Sequence, residues 1–479
     1  MRVGVRLSAA VAVGKLAGMV SQRLNLGGGT TVPGLLVRKL DPSSLRLLAE
    51  RLPQGGVVVT GTNGKTTTTR LISSILAAAG WRVVHNRSGA NLVTGVISAL
   101  ARDANLAGRP RADVGLFEVD EAMLPVMLHE MKPRVLLITN LFRDQLDRYG
   151  EVDHVAAVWR QSLPVLGSDS TLVLNADDPL VASLGRELDA GPERPRVIYY
   201  GIEDASQGHS ELDHTADSRN CVQCGVPYSY EVVYYGHVGK YFCSQCGLRR
   251  PRPAVYATEV KPDGLKGSSL RLATPAGEMA LRIGIPGLYN VYNALAAASA
   301  GIALGLETGQ IQRGVENFTA AFGRIERVEV EGREVYLILV KNPAGFNQVI
   351  RTLFSGPTKG DEGEKRNVFI VINDNFADGT DVSWLWDVDF ELMAGKVKFV
   401  LTGGTRAEDM ANRLKYALVE PSHVTSFGSL SHSLEEAWAQ AIQRTPVGET
   451  LYVLPTYTAM LELRALLSSL GYVRRFWED

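Results

Sequence analysis

Residues 57–67 read Val57-Val58-Val59-Thr60-Gly61-Thr62-Asn63-Gly64-Lys65-Thr66-Thr67: an apolar run, a glycine turn and the start of a helical stretch from Thr66 to Ala79. A buried strand that turns on glycine into a helix aims several backbone N–H groups at one point, and such a point cradles phosphate oxygens. Lys65 is placed to reach the β- and γ-phosphates of a nucleotide, and Thr66 to set its hydroxyl on Mg²⁺. The general P-loop template asks for glycine five positions before Gly64, where this chain has Val59, so the match is partial. A plain glycine turn with a solvated lysine is the bland alternative, and the strand-turn-helix context argues against it.

Outward from this loop the chain alternates strand-like and helical runs. Further strands are expected at Val114 to Glu118, Val135 to Thr139, Thr171 to Asn175 and Val197 to Tyr200. That alternation predicts a parallel α/β sheet. In such a sheet the carboxyl ends of the strands share one crevice. Glu118-Val119-Asp120-Glu121 ends one strand there; its oxygen ligands suit Mg²⁺, a solvated acidic turn explains it about equally when taken alone, and the glycine loop upstream favours the metal. Asn140 to Arg148 ends another, where contact with nucleotide or substrate and a helix start with surface ion pairs are equal readings; Asn175-Ala176-Asp177-Asp178 ends a third, which turn formation explains about as well as ligand contact.

The alternation stops near Ser206, and every cysteine of the chain lies between there and Arg252. Cys221 and Cys224 are separated by two residues, as are Cys243 and Cys246, with eighteen residues between the pairs and a glycine after each (Gly225, Gly247). Two such knuckles supply four thiolates for a tetrahedral zinc. A closed four-thiolate site leaves no position for substrate, so the expected role is structural. The clustering also differs from a disulfide framework and points to a reducing compartment. A β-rich stretch, Val255 to Ile285, and a helix from Tyr289 to Leu304 follow.

Beyond Phe322-Gly323-Arg324 a second alternation begins, with strands expected at Val335 to Val340, Val368 to Ile372, Val397 to Thr402 and Thr450 to Leu454, and a charged loop from Ser355 to Arg366. Lys341 to Gly345 and the acidic run Asp378-Gly379-Thr380-Asp381 belong at the functional edge of this second sheet. At the other end, residues 1–54 form a leader: an amphipathic helix around Leu7 to Val20, a glycine turn at Gly27 to Gly29, Pro33-Gly34, and a helical stretch from Ser43 to Leu52.

The 479 residues fit roughly three domains. Fifty basic and 51 acidic residues give a net charge of -1, which supplies no global argument for nucleic acid or an anionic surface. No run of about 20 apolar residues crosses a membrane.

Taken together, Gly61 to Thr67, Glu118, the Asn140 segment, Asn175 to Asp178 and Gly287-x2-Asn290-x2-Asn293-Ala294 resemble, in order, the motifs of the Mur ligases, ATP-dependent amide-forming enzymes of peptidoglycan assembly. That family tolerates the absent first glycine. The four-cysteine insertion, Lys341 to Gly345 and Asp378-Gly379-x-Asp381-x-Ser383-Trp384 are similar to one branch of it, the Mur-ligase-like subunits of lipid II isoglutaminyl synthase.

The resemblance implies a Mur-ligase-like P-loop central domain (55–325) with an inserted zinc ribbon (about 206–252), followed by a Rossmann-like α/β domain (326–479) that meets a partner. It implies ATP held by Gly61, Thr62, Asn63, Gly64, Lys65, Thr66, Thr67 and Asn290, with Mg²⁺ on Thr66 and Glu118. Lys65 and Glu118 would act in catalysis. Asp381 would act on a GatD-type glutaminase in a heterodimer. The implied reaction is amidation of the D-glutamate α-carboxyl of lipid II, at the inner face of the cytoplasmic membrane. An amino-acid-adding Mur or folylpolyglutamate-type ligase is the rival. Two departures stand out: residues 151–174 contain no lysine to be carbamylated for a second Mg²⁺, and no amino-acid recognition motif is evident.

Overall fold

The computed structural model describes residues 2–23, 31–86, 90–143, 152–186, 188, 193–213, 216–318, 325–354, 365–428 and 432–473. The glycine turn at 27–29, Arg148 and most of its segment, the Phe322 to Arg324 junction and most of the 355–366 loop lie outside them.

The chain opens with helices Arg2–Arg23, Val32–Leu40 and Ser44–Ala49. Pro33 stands at the start of the second, where its missing N–H costs nothing. Gly34 lets that helix lie against the helix Val93–Asp103: a Cβ there would come within 1.8 Å of the Thr94 carbonyl. The first helix departs from the amphipathic expectation. Leu7, Ala10 and Val11 are buried, yet Val5, Val13, Leu16, Met19 and Val20 face outward.

Strands β1 (Gly56–Thr60), β2 (Val83–His85), β3 (Val114–Glu118), β4 (Val135–Ile138), β5 (Thr171–Asn175) and β6 (Arg196–Ile202) follow. A separate hairpin, β7 (Ser229–Tyr235) and β8 (Val238–Phe242), lies inside the cysteine region. β9 (Val255–Pro262), β10 (Ser268–Thr274) and β11 (Gly277–Ile283) complete a nine-stranded sheet of order β11-β10-β9-β6-β5-β4-β1-β3-β2. From β2 to β9 the pairs are parallel, and the last two are antiparallel.

The β1 side chains show why this sheet reads as continuous apolar runs. Val58 joins one core with Phe117, Leu136 and the leader helices, whereas Val57 and Val59 join another with Leu116, Leu137 and Leu71. Both faces are covered, as parallel sheets require. The second face carries the helices Lys65–Ala78, Leu288–Ala303 and Thr308–Glu316.

The second sheet contains β12 (Ile325–Val330), β13 (Arg333–Ile338), β14 (Arg366–Val371), β15 (Val397–Gly404), β16 (Val424–Gly428) and β17 (Thr450–Pro455), in the order β12-β13-β17-β14-β15-β16. All of its pairs are parallel except β12 with β13. It too has a core on each face. In both sheets the functional edge is the one where parallel strands end.

Candidate active site and metal centre

The chain visits β1, steps out to β2, returns through β3 to the neighbouring position, and then crosses to β4 on the other side. This is the switch point of the sheet, and the crevice opens beyond the ends of β1, β3 and β4. The glycine loop after β1 occupies it. Gly61 (φ +123°) and Gly64 (φ +84°) both have backbone angles that favour glycine. A Cβ on Gly61 would come within 2.3 Å of Thr139 Oγ1, and one on Gly64 within 2.1 Å of Asn293 Oδ1.

Side chains from the end of β4 fix the loop. The Asn63 N–H donates to Asn140 Oδ1 at 2.9 Å, and Thr139 Oγ1 donates to the Asn63 carbonyl at 2.8 Å. Thr62 Oγ1 and the Phe142 backbone exchange two bonds of 3.0 Å. The Asn140 segment is thus a brace for the loop rather than a free ligand arm. Its described residues end at Arg143, which is bonded to Asp217 of the cysteine region.

Thr66 Oγ1 lies 3.2 Å from Glu118 Oε1, so the two residues expected to hold Mg²⁺ meet. Asn86 pins Glu118 in place: it accepts from the Glu118 N–H at 3.0 Å and donates to the Glu118 carbonyl at 2.8 Å. Asn91 Nδ2 approaches Glu118 Oε1 at 3.4 Å. A hydroxyl and a carboxylate oxygen beside a phosphate cradle are the donors Mg²⁺ uses alongside nucleotide phosphates. Lys65 is almost wholly buried. Its Nζ donates to the Gly61 carbonyl at 2.5 Å and to Glu121 Oε1 at 2.9 Å. Burial raises the Glu121 carboxyl above its ordinary range, while the Lys65 charge pulls it down. The sequence reading took Glu118 alone from this acidic turn and passed over Glu121.

Asn290 lies in the wall of the crevice, donating to the Pro286 carbonyl at 2.6 Å and accepting from Asn293 at 3.0 Å. Asn293 in turn accepts from Thr68 of the loop helix at 3.2 Å. A pocket continues from Asn63, Gly64 and Thr67 past Tyr235, Tyr289 and Asn290 to Phe318, Lys341, Asn342 and Gln348. It is therefore shared between the two sheets. Asn342 Nδ2 donates to Asn63 Oδ1 at 2.9 Å across the junction. A mostly apolar pocket with a few amides, opening onto a phosphate loop, suits a nucleoside.

The two aspartates after β5 are tied up. Asp177 is fully buried and accepts from Tyr292 (2.6 Å), the Ile202 N–H (2.9 Å) and Arg250. Asp178 accepts from the N–H groups of Leu141 (2.9 Å), Leu180 and Val181. Asp178 thus caps its own turn, whereas Asp177 joins a buried network between distant elements that neither ligand contact nor turn formation describes.

The four thiol sulfurs lie within 4.8 Å of one another, with Cys221 Sγ 3.6 Å from Cys246 Sγ and Cys224 Sγ 3.4 Å from Cys243 Sγ. Zinc at 2.3 Å from each of four sulfurs implies about 3.8 Å between them, so the set fits that ion. The knuckles are built alike: the Gly225 N–H donates to the Cys221 carbonyl and the Gly247 N–H to the Cys243 carbonyl, at φ +76° and +74°. Within the cluster the Cys246 N–H and the Cys224 thiol hold the Cys243 thiol down at about 6, while the Cys224 thiol beside it is pushed up to about 12.

The ribbon also reaches the glycine loop, which its spacing does not reveal. The hairpin β7–β8 turns at Gly236 and buries His237. Phe142 stacks on Tyr235 with centroids 5.8 Å apart and lies 4.4 Å from the His237 ring. Phe142 is the residue whose backbone is bonded to Thr62.

Asp381 sits apart from this crevice, in the loop after β14. It is exposed and accepts from the Ser383 N–H at 2.8 Å, which holds its carboxyl below the usual range. Asp378 is instead buried and accepts from the Thr458 N–H at 2.8 Å. Of the two aspartates in the run, Asp381 is the exposed one.

The Mur ligase middle domain family matches residues 59–244, and the MurT ligase C-terminal family matches residues 339–460. The chain is 35% identical over 415 residues to subunit MurT of the glutamine-hydrolysing lipid II isoglutaminyl synthase of Staphylococcus aureus, covering 86% of this chain and 88% of that one. It is 33% identical over 468 residues to the same subunit from Streptococcus pneumoniae, covering 97% and 98%. Among solved structures it is similar to a pseudomurein peptide ligase type C from Methanothermus fervidus, with TM-score 0.67 and 25% identity over 88% of this chain and 80% of that one.

Proposed function

Because the chain belongs to the MurT family, the Mur-ligase-type subunits of glutamine-hydrolysing lipid II isoglutaminyl synthase, we propose that it uses ATP to amidate the α-carboxyl of D-glutamate in lipid II. The observation that carries this reading is a glycine loop with Lys65 beside Glu121 and Thr66 beside Glu118, whose residues Asn63, Gly64 and Thr67 line an adjoining pocket. ATP occupies the glycine loop and the pocket beside Asn290. Lys65 leaves Glu121 for the phosphates and neutralises charge as the γ-phosphoryl moves to the substrate carboxylate. Mg²⁺, held by Thr66 and Glu118, would supply further charge neutralisation. Catalysis of this step is positioning and electrostatics. Ammonia then displaces phosphate from the acyl phosphate to give the amide, D-isoglutamine.

The ammonia must be supplied. Releasing it from glutamine normally needs a nucleophile of low pKa, such as a cysteine. All four cysteines of this chain form the zinc-spaced cluster. A partner glutaminase of the GatD type therefore provides it, and Asp381 completes that partner's Cys-His pair. Its exposure and its ionised state support the role.

The test is ADP release with lipid II and either ammonium chloride or glutamine, with and without the glutaminase. Turnover with ammonium alone, and with glutamine only when the partner is present, is the expected pattern. Turnover that requires a free amino acid and ignores ammonia would overturn it. Asp381→Asn should abolish the glutamine-driven rate and leave the ammonium-driven rate intact; loss of both, or of neither, removes Asp381 from the partner's site.

A further inference from the structure

We propose that the leader helices Arg2–Arg23 and Val32–Leu40 form a docking surface for an anionic lipid bilayer. The argument starts from the helix Arg2–Arg23, whose inner face packs Leu7, Ala10, Val11 and Gly14 into the core. A surface helix ordinarily turns polar residues outward. Here the outward residues at helical spacing are Val13, Leu16 and Val20, with Val5 and Met19 beside them, at 39%, 59%, 53%, 72% and 54% exposure. The adjoining helix Val32–Leu40 repeats the pattern with Val32, Leu35 and Leu40, at 54%, 45% and 43%. The two helices are one rigid unit, since a Cβ on Gly14 would come within 2.4 Å of the Val37 side chain. Eight large apolar side chains of this unit are thus exposed.

Charge decides the occupant. Residues 1–40 contain six basic residues (Arg2, Arg6, Lys15, Arg23, Arg38, Lys39) and no acidic one, whereas the rest of the chain holds 44 basic and 51 acidic residues. Arg6 and Lys39 are exposed beside the apolar stripes. Lys15 Nζ donates to the Arg102 carbonyl, which brings the exposed Arg102 and Arg111 to the same side, with Asp103 as the nearby acid; Arg38 is paired with Glu130. An apolar helix face flanked by cations is what lies in the interface of an anionic membrane. No described helix is long and apolar enough to cross one, so the helix lies in the plane. The surface is argued from its own residues, and the lipid-linked substrate proposed above gives it a purpose.

The test is co-sedimentation of the full chain with vesicles, without lipid II or nucleotide, so that it is read independently of amidation. Vesicles of phosphatidylglycerol with phosphatidylcholine should bind the protein at least about tenfold more tightly than pure phosphatidylcholine, and salt should weaken the difference. Leu16→Asp with Leu35→Asp should lower binding at least about tenfold and leave ATP affinity unchanged. Lys39→Glu, which leaves the apolar side chains and the hydrogen bond from Arg6 to the Leu40 carbonyl in place, should weaken anionic binding in the same direction if the first pair fails to fold. Wild-type protein that ignores anionic vesicles, or variants that bind as it does, would overturn the proposal. So would variants that instead break a dimer of this chain or release the glutaminase, since the stripe would then belong to those contacts. Vesicle binding without amidation would leave this surface standing and remove the reaction proposed above.

Discussion

The Lys65 ammonium is shared between the Gly61 carbonyl and the Glu121 carboxylate, and the pair is nearly dry. This makes the site's stability depend on pH in a definite direction. Burial holds the Glu121 carboxyl above its ordinary range. A carboxyl raised in the folded state lends stability below its unfolded pKa, and that stability is lost as pH climbs through the folded value. Lys65→Met removes the charge that opposes the rise. The variant should therefore lose more stability, relative to wild type, at pH 8 than at pH 5, with a gap of about 1–3 kcal/mol. Adding Glu121→Gln should close most of that gap. Thermal denaturation of the three proteins at both pH values measures it, and equal losses at the two pH values would disprove the coupling. Lys65→Met should also slow ADP release by about 10²- to 10³-fold, the scale for removing one electrostatic contact to a transition state. Sequence identified Lys65 and Thr66 because a glycine loop dictates where they point. It named Glu118 and passed over Glu121, because the spacing of a turn after a strand does not say that a second carboxylate faces the lysine.

At the level of elements, the cysteine ribbon supports the nucleotide loop through a chain of contacts: the turn at Gly236 presses on Phe142, and Phe142 is bonded to Thr62. A Cβ on Gly236 would come within 2.6 Å of the Phe142 ring, at a backbone φ of +56°. Gly236→Ala should raise KM for ATP by about tenfold, equivalent to about 1.4 kcal/mol of lost binding, with zinc content unchanged. Where the purified protein carries zinc on its four thiolates, a chelator should weaken ATP binding in the same direction, because such sites hold their fold through the metal. Zinc content by atomic absorption, read beside the KM, distinguishes the two. A chelated protein with unaltered ATP affinity would detach the ribbon from the loop. Elements were legible unevenly. β1, β3, β4 and β5 stood out because both of their faces are buried, which writes each strand as an apolar run. The edge strands β2, β12 and β16 and the hairpin β7–β8 did not, since their partly exposed faces admit polar residues. The helix Val32–Leu40 was hidden behind Pro33-Gly34, which reads as a break yet serves as a helix start and a close packing contact.

For the whole molecule, the nucleotide pocket exists only while the two sheets face each other. No local pattern announces this: Asn342 and Asn63 are 279 residues apart in sequence. A second link lies nearby, where Arg351 donates to Asp213 at 2.7 Å and to Asp389 at 3.3 Å. Asp213 is buried, and His209 and the Gly236 N–H share it, so Arg351 ties the second domain to the ribbon segment as well. Each link is a hydrogen bond or ion pair of modest net worth, about 1–3 kcal/mol. Arg143 approaches Asp387 across the same junction at 3.6 Å, so removing the first two links is expected to loosen it by a few kcal/mol. Asn342→Ala with Arg351→Ala should shift the population toward an open form. Small-angle scattering should then show a larger radius of gyration without ATP and a return toward the wild-type value with it. KM for ATP should rise by about tenfold or more, because part of the binding energy is spent on closure. The loop residues remain in place, so kcat at saturating ATP should fall much less than KM rises. Unchanged scattering together with unchanged KM would mean that closure is held by the apolar pocket walls and not by these two links.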